Sequence, residues 1–292
     1  MRARLGALAL AAVLGACGGP KKDVAAPTTA TDLLPPVLGM PAMEDETKRV
    51  VAELIEHLPA DQASRVRGMP LAFEHTDEIN AFAGCDEKGP FVEGTTGLLD
   101  VANGLAQTLA ADQLFGLQTH EAYAKQVVDK VMEDKPNLYY DLSNLPPETA
   151  LDKKRLSRAH EIFDDIVAFT FGHELAHHYL GHTPCAAKTD MERNLARLGD
   201  IATSFIPVLN QPAEVAADQA GILNVLVTGR ARATHPLDEG GARMLLTFFD
   251  RLEQAAGQGN RSLLKTFLMT HPPSLLRLRV LNDSVARFHG AP

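Results

Sequence analysis

The segment "FGHELAHHYLGH" (171–182) constrains the fold of this chain most, because it holds two histidines four residues apart around a glutamate. On a helix, positions i and i+4 lie one turn apart on the same face, so His173 and His177 can direct both imidazoles at one metal ion. Glu174 then lies beside that position, where a general base could act on bound water. A five-residue motif with three specified positions also occurs by accident, so the interpretation requires another ligand elsewhere in the chain.

The segment "EVAADQAGILNVL" (214–226) offers such a ligand. A catalytic zinc site needs three protein ligands and one open position. The segment reads as a helix in which Glu214 and Asp218 share a face. Glu214 suits the third ligand, and Asp218 suits an acceptor that orients a ligand histidine through its other N–H. Taken alone, the pair fits a solvated acidic face better, but beside H-E-x-x-H the metal site is favoured.

In order along the chain, separated segments resemble the HtpX-like and CAAX-prenyl-protease family of zinc metallopeptidases. These segments are "INAFA" (79–83) leading to "TTGLL" (95–99), "HELAHHYLGH" (173–182), "EVAAD" (214–218) and "THPPSLLRL" (270–278). The resemblance implies one zinc per chain, held by His173, His177 and Glu214, with Glu174 as the general base.

Four further polar residues of these segments are considered for other roles. The resemblance places His271 and Arg277 near the active-site cleft, where either could stabilise a developing oxyanion. His271 could instead be a removable fourth zinc ligand, and Arg277 could be one basic residue on an amphipathic helix. For His178 and His182 we expect surface or packing roles, with His182 near the helix end.

The resemblance also implies a substrate-binding edge strand between "INAFA" and "TTGLL". We expect Phe91, Val92, Glu93, Gly94 and Thr95 to pair with substrate backbone by strand addition. Glycine and an acidic residue weaken a strand, so the substrate groove is expected to be short or differently shaped.

Periodicity and the resemblance together predict a mainly α (α+β) fold. We expect a zincin-type metallopeptidase domain over 43–292, with a small sheet and an edge strand beside the H-E-x-x-H helix. Short strand-like runs fall within 65–95. Residues 100–158 are expected to form a helical insert, because the chain between "TTGLL" and the H-E-x-x-H helix is longer than is usual in the family.

The N-terminal sequence "MRARLGALALAAVLGAC" predicts a signal peptide over 1–16, since two arginines precede a short apolar run. "LGAC" resembles a bacterial lipobox, in which Cys17 would be lipidated and become the first residue. Residues 17–42 would then be the lipidated N-terminus and a flexible tether. Gly18 resembles the outer-membrane sorting pattern, so we expect a lipid-anchored protein that faces the periplasm. The alternative is an ordinary secretory signal with an incidental cysteine.

Net charge and cysteine content limit which partners and which compartment are expected. The formal net charge of −9 disfavours binding to nucleic acid. If Cys17 is lipidated, Cys85 and Cys185 remain, in a compartment that permits disulfides. Folding like the family would bring them together as a disulfide. The alternative is a pair of buried, reduced cysteines.

The motifs and the N-terminal sequence, together with what the family resemblance implies, predict a zinc-dependent endopeptidase of the cell envelope that acts in quality control on unfolded or misassembled envelope proteins. The alternative from another class is a non-proteolytic zinc-containing chaperone or assembly lipoprotein that binds unfolded chains in the same groove. The presence of Glu174 argues against it, because structural zinc sites need no base. A third interpretation is a zinc hydrolase that acts on a non-peptide bond.

Overall fold

A computed structural model describes residues 39–133, 145–185, 211–256 and 271–290, and in these ranges the structure consists of helices and one small three-stranded sheet. The prediction of a mainly α fold with a small sheet is confirmed. The elements are α1 (Met40–Glu56), α2 (Ala60–Val66), β1 (Leu71–Glu74), β2 (Ala81–Asp86), β3 (Gly89–Thr95), α3 (Thr96–Phe115), α4 (Thr119–Met132), α5 (Pro147–Ala150), α6 (Lys153–Tyr179), α7 (Gln211–Ala231), α8 (Gly240–Ala256) and α9 (Ser274–Phe288).

Helix α6, which carries the H-E-x-x-H motif, is the centre of the fold. It runs for 27 residues from Lys153, and its N-cap residue is Asp152, whose carboxylate accepts hydrogen bonds from two backbone amides of the first turn. α6 packs against α1, α3, α7 and α8. Side chains such as Phe163, Ile166 and Phe169 are almost fully buried. A helix that is covered on most sides holds its polar side chains in a dry, fixed environment.

The sheet corrects the prediction of a substrate-binding edge strand at Phe91–Thr95. The strand order is β1-β3-β2, so β3 is the central strand. It pairs in parallel with β1 and antiparallel with β2. The backbone of 92–95 is therefore engaged on both sides and is not open to strand addition. The sequence reading missed this because β1 has only four residues and pairs across a long connection.

Within the described residues, β2 is the edge strand beside α6 and has β3 as its one strand partner. The β2–β3 turn is closed by Asp86, whose Oδ1 accepts hydrogen bonds from the amides of Lys88 and Gly89. The sheet therefore presents β2, rather than β3, to the face that carries the H-E-x-x-H motif.

Two of the predicted segments, the tether up to residue 42 and the insert over 100–158, overlap the described residues. α1 begins at Met40, inside the predicted tether, because Met40 and Met43 are buried and Pro41 is well tolerated in the first helical turn. The described parts of the predicted insert are mostly helical. α3 packs along α6 with many fully buried side chains and is therefore part of the core.

No helix in the described ranges combines the length and the apolar composition that crossing a bilayer requires. The predicted signal peptide, Cys17 and the tether up to residue 38 lie outside the described residues.

Candidate metal centre

Three side chains from two helices converge on one point. His173 Nε2 and His177 Nε2 lie 3.1 Å apart on α6. Glu214 on α7 places one carboxylate oxygen 3.3 Å from His173 Nε2 and the other 3.3 Å from His177 Nε2. Metal–ligand bonds of about 2.0–2.1 Å in tetrahedral geometry separate neighbouring ligand atoms by about 3.3 Å. The set therefore fits zinc, and three ligands leave a fourth position open.

A close crossing of α6 and α7 brings these residues together. A Cβ atom on Gly221 would lie 2.9 Å from the backbone nitrogen of His173, nearer than real Cβ contacts allow. Gly221 lies two helical turns after Glu214 and therefore on the same face. Glycine at this crossing lets the backbones approach until the Glu214 carboxylate reaches both histidines.

Asp218 contacts His173 on the Nδ1 side of the ring, and Arg277 in turn pairs with Asp218. The His173 Nδ1 atom lies 2.9 Å from Asp218 Oδ1, and Arg277 donates to both Asp218 oxygens at 2.7 and 2.9 Å. Burial disfavours the charge on Asp218, but Arg277 and His173 hold the pKa of its carboxyl well below the usual value. An ionised acceptor keeps a proton on His173 Nδ1, which leaves the Nε2 lone pair for a metal.

Arg277 is buried, with 4% of its surface exposed, so it is not a solvated residue of an amphipathic helix. Its bidentate pairing with Asp218 commits two of its nitrogens. This contact supports a positioning role through His173. Stabilisation of an oxyanion by Arg277 stays a prediction.

Glu174 lies beside the ligands, with one oxygen 4.0 Å from His173 Nε2. Burial raises the pKa of its carboxyl to about 7, with Glu214 adding to the effect, and a backbone hydrogen bond from Ala83 opposes it. A carboxyl group with a pKa near neutrality can both accept and return a proton. The geometry is that expected of a general base.

His271 also reaches the centre, with its Nε2 atom 3.6 Å from Glu214 Oε2 and its ring centroid 5.7 Å from that of His173. Burial lowers the pKa of His271 to about 4, so the imidazole is neutral. A neutral imidazole here is compatible with either predicted role, the oxyanion donor or the removable ligand.

Two other histidines of the motif segment have definite partners. His178 is fully buried; its Nε2 atom lies 2.9 Å from the Phe91 carbonyl oxygen and its Nδ1 atom 2.9 Å from Thr183 Oγ1. It therefore connects α6 to β3, which agrees with a packing role. His182 Nδ1 lies 3.1 Å from His177 Nδ1. Sequence reasoning did not find this contact, because it depends on how the helix ends.

A mostly apolar cavity of about 30 Å³ adjoins His173 and Glu174. Its walls come from α3, α6, α8, α9 with the preceding His271, and the start of β2, and its apolar side chains include Leu98, Phe169, Leu245, Leu246 and Phe249. A space of this size holds about two water molecules, which is close to the volume of a small aliphatic side chain.

The outer backbone groups of β2 face the same region. In an antiparallel pair, alternate residues direct their N–H and C=O groups away from the partner strand. Ala83 contributes a backbone hydrogen bond to Glu174, so Ala81 and Cys85 direct their backbone groups to that side as well. At the end of β2, Cys85 forms a disulfide with Cys185, which follows α6, with a Cα–Cα distance of 6.0 Å.

Comparison with known proteins identifies the family. The chain matches the model of peptidase family M48 over residues 41–285, which include all the residues of the centre described above. No curated protein and no solved structure matches the chain. Because the family match covers most of the sequence, the chain belongs to peptidase family M48, a family of zinc metallopeptidases.

Proposed function

We propose that the chain is a zinc-dependent endopeptidase, lipid-anchored in the bacterial cell envelope, that degrades unfolded or misassembled envelope proteins. The observation that carries the catalytic part is the convergence of His173 Nε2, His177 Nε2 and the Glu214 carboxylate beside the buried carboxyl of Glu174. These three ligands would hold one zinc ion per chain.

Zinc, when bound, supplies a Lewis acid and lowers the pKa of its water from 15.7 toward about 7. Glu174 accepts a proton during attack on the peptide carbonyl and returns it to the leaving amine. Its position near His173 Nε2 puts its carboxylate beside the open position. Asp218 keeps the His173 ring oriented throughout, because its own charge is balanced by Arg277.

The shape of the cleft supports an extended peptide as substrate. A substrate strand added to the outer edge of β2 would run past Glu174, because Ala83 already directs its backbone group there. The apolar cavity beside His173 would accept one small aliphatic side chain of that strand. Strand addition requires the substrate backbone to be accessible, which favours unfolded proteins over folded ones.

Support for the location comes from the sequence and from one structural feature. The N-terminal segment carries the lipobox-like "LGAC", and Gly18 follows the pattern of outer-membrane sorting. The disulfide between Cys85 and Cys185 is compatible with an oxidising compartment such as the periplasm.

Cleavage of a purified, unfolded outer-membrane protein, with and without a chelator, tests the proposed activity. Glu174→Gln should retain zinc and lose cleavage by at least two orders of magnitude, whereas His177→Ala should lose both zinc and cleavage. The exposed Glu148→Gln is the matched control and should behave as wild type. Full activity of Glu174→Gln would disprove the mechanism, and binding of the unfolded chain without cleavage would favour the chaperone.

A further inference from the structure

We propose that His182 is a positioning residue of the metal centre, which accepts a hydrogen bond from His177 Nδ1 and thereby presents His177 Nε2 to the metal. The proposal rests on the metal centre of the proposed function. It assigns to His182 a role beyond that of a helix-end residue.

The end of α6 places His182 against His177. Gly181 has φ +83°, the left-handed conformation that glycine adopts without strain. The amide of Gly181 donates to the His178 carbonyl at 3.0 Å, and the amide of His182 donates to the His177 carbonyl at 2.8 Å. These two bonds form a Schellman motif, in which the second residue after the C-cap (Leu180) contacts the residue five positions earlier.

The side-chain contact follows from that backbone geometry. The rings of His182 and His177 have centroids 5.1 Å apart and planes at 69°. The two Nδ1 atoms are 3.1 Å apart, a hydrogen-bond distance. A backbone motif that needs glycine at position 181 thus sets the distance between two imidazole nitrogens.

The direction of this hydrogen bond is determined by the metal centre. Two Nδ1 atoms at 3.1 Å can share one proton, which must belong to one of the rings. His177 Nε2 faces His173 Nε2 and Glu214, so its lone pair is needed for the metal. The proton therefore lies on His177 Nδ1, and His182 accepts it with a neutral ring protonated at Nε2.

The two ligand histidines would then be oriented in the same way by different partners. His173 donates from Nδ1 to the carboxylate of Asp218, and His177 donates from Nδ1 to the imidazole of His182. An acceptor on the second nitrogen fixes both the tautomer and the ring orientation of a metal-ligating histidine.

Zinc affinity of the full chain, measured by competition with a chromophoric chelator, tests this role. His182→Ala should weaken zinc binding about 10–100-fold, as expected for loss of such an acceptor. His182→Asn should restore most of the affinity, because its amide oxygen occupies the position of the imidazole Nδ1. His57→Ala, which removes a histidine from the C-terminal end of α1, is the matched control and should bind zinc as wild type.

A second measurement keeps the test independent of variant folding. Long-range ¹H–¹⁵N spectra of the zinc-loaded wild-type protein report which nitrogen of His182 carries the proton. A proton on Nε2 is expected, and a proton on Nδ1 overturns the proposal. Wild-type zinc affinity in His182→Ala also overturns it. Failure of the wild-type chain to bind zinc would instead contradict the proposed function.

Discussion

At the residue scale, the candidate metal centre contains buried charged side chains that compensate one another. Asp218 is fully buried, and it is ionised because Arg277 lies against it and His173 donates to it. A buried ion pair contributes little net stability, but removing one partner leaves the other charge uncompensated. The arrangement therefore couples the orientation of His173, the proposed metal ligand, to the stability of the fold.

Substitution of Arg277 tests this coupling. Arg277→Ala should lower the free energy of unfolding of the metal-free protein by about 3–5 kcal/mol, because it leaves the Asp218 carboxylate buried and unpaired. Zinc affinity should fall as well, since a displaced Asp218 no longer orients His173. Urea unfolding and chelator competition measure the two effects.

Arg279→Ala is the control for this experiment, because Arg279 lies on the same helix and is exposed. Its effect on unfolding should stay within about 0.5 kcal/mol. A lower kcat in Arg277→Ala, with unchanged stability and zinc affinity, would contradict the positioning role and point to direct stabilisation of the oxyanion.

The sequence predicts those contacts that follow from spacing along one helix. His173 and His177 are four residues apart, as are Glu214 and Asp218, so a shared face is expected for each pair. The pairing of Arg277 with Asp218 joins positions 59 residues apart and is not visible in any local pattern. The contact of His182 with His177 depends on the left-handed conformation of Gly181, which spacing along one helix does not indicate.

At the element scale, the crossing of α6 and α7 depends more on Gly221 than on Gly172, the glycine that faces it. A Cβ atom on Gly221 would lie within 3.1 Å of three backbone atoms of α6, whereas one on Gly172 would meet its nearest neighbour at 3.5 Å, an ordinary contact. The two positions face each other in the same crossing, so they form a matched pair.

Gly221→Ala should therefore destabilise the protein by about 1–3 kcal/mol and weaken zinc binding, because α7 must move away from α6 together with Glu214. Gly172→Ala should be neutral or stabilise by up to about 1 kcal/mol, since alanine is the better helix former. Thermal unfolding and chelator competition compare the two. Equal effects of both variants would contradict this account of the crossing.

The disulfide joins the end of β2 to the segment after α6, and it closes a loop of 100 residues. The chain-entropy estimate for a loop of this length is about 4–5 kcal/mol. The double variant Cys85→Ser, Cys185→Ser should lose about that much free energy of unfolding in urea. Alkylation of the unfolded, unreduced wild-type protein, followed by mass spectrometry, is the direct check. Modified thiols at both positions would rule the bridge out.

The sheet shows where element prediction fails. The runs in 65–95 correctly indicate strands, but strand order is a property of tertiary pairing. Ala72 and Glu74 of β1 pair with Glu93 and Thr95, and this parallel ladder covers the side of β3 that the prediction left open. Parallel pairing across a long connection leaves no turn signature in the sequence.

At the scale of the whole molecule, the chain combines a mainly α catalytic domain with an N-terminal segment of different composition. The fold class follows from helical periodicity in the segments around α6 and from the family match over 41–285. The domain boundary is less predictable, because Pro41 and the buried Met40 extend the first helix into a stretch that reads as linker. Burial of Met40, rather than local composition, explains why the first described helix begins there.

Attachment to the membrane is expected to depend on Cys17, since "LGAC" follows a short apolar run that begins after two arginines. Acyl chains contribute about 0.8 kcal/mol per buried CH₂, and two or more chains are needed for stable anchoring. Cys17→Ser should therefore move the protein from the membrane fraction to the soluble fraction. The double serine variant of Cys85 and Cys185 is the control and should stay with membranes. The lipobox interpretation is wrong if Cys17→Ser stays in the membrane fraction as wild type does and mass spectrometry finds no acyl group on the native N-terminus.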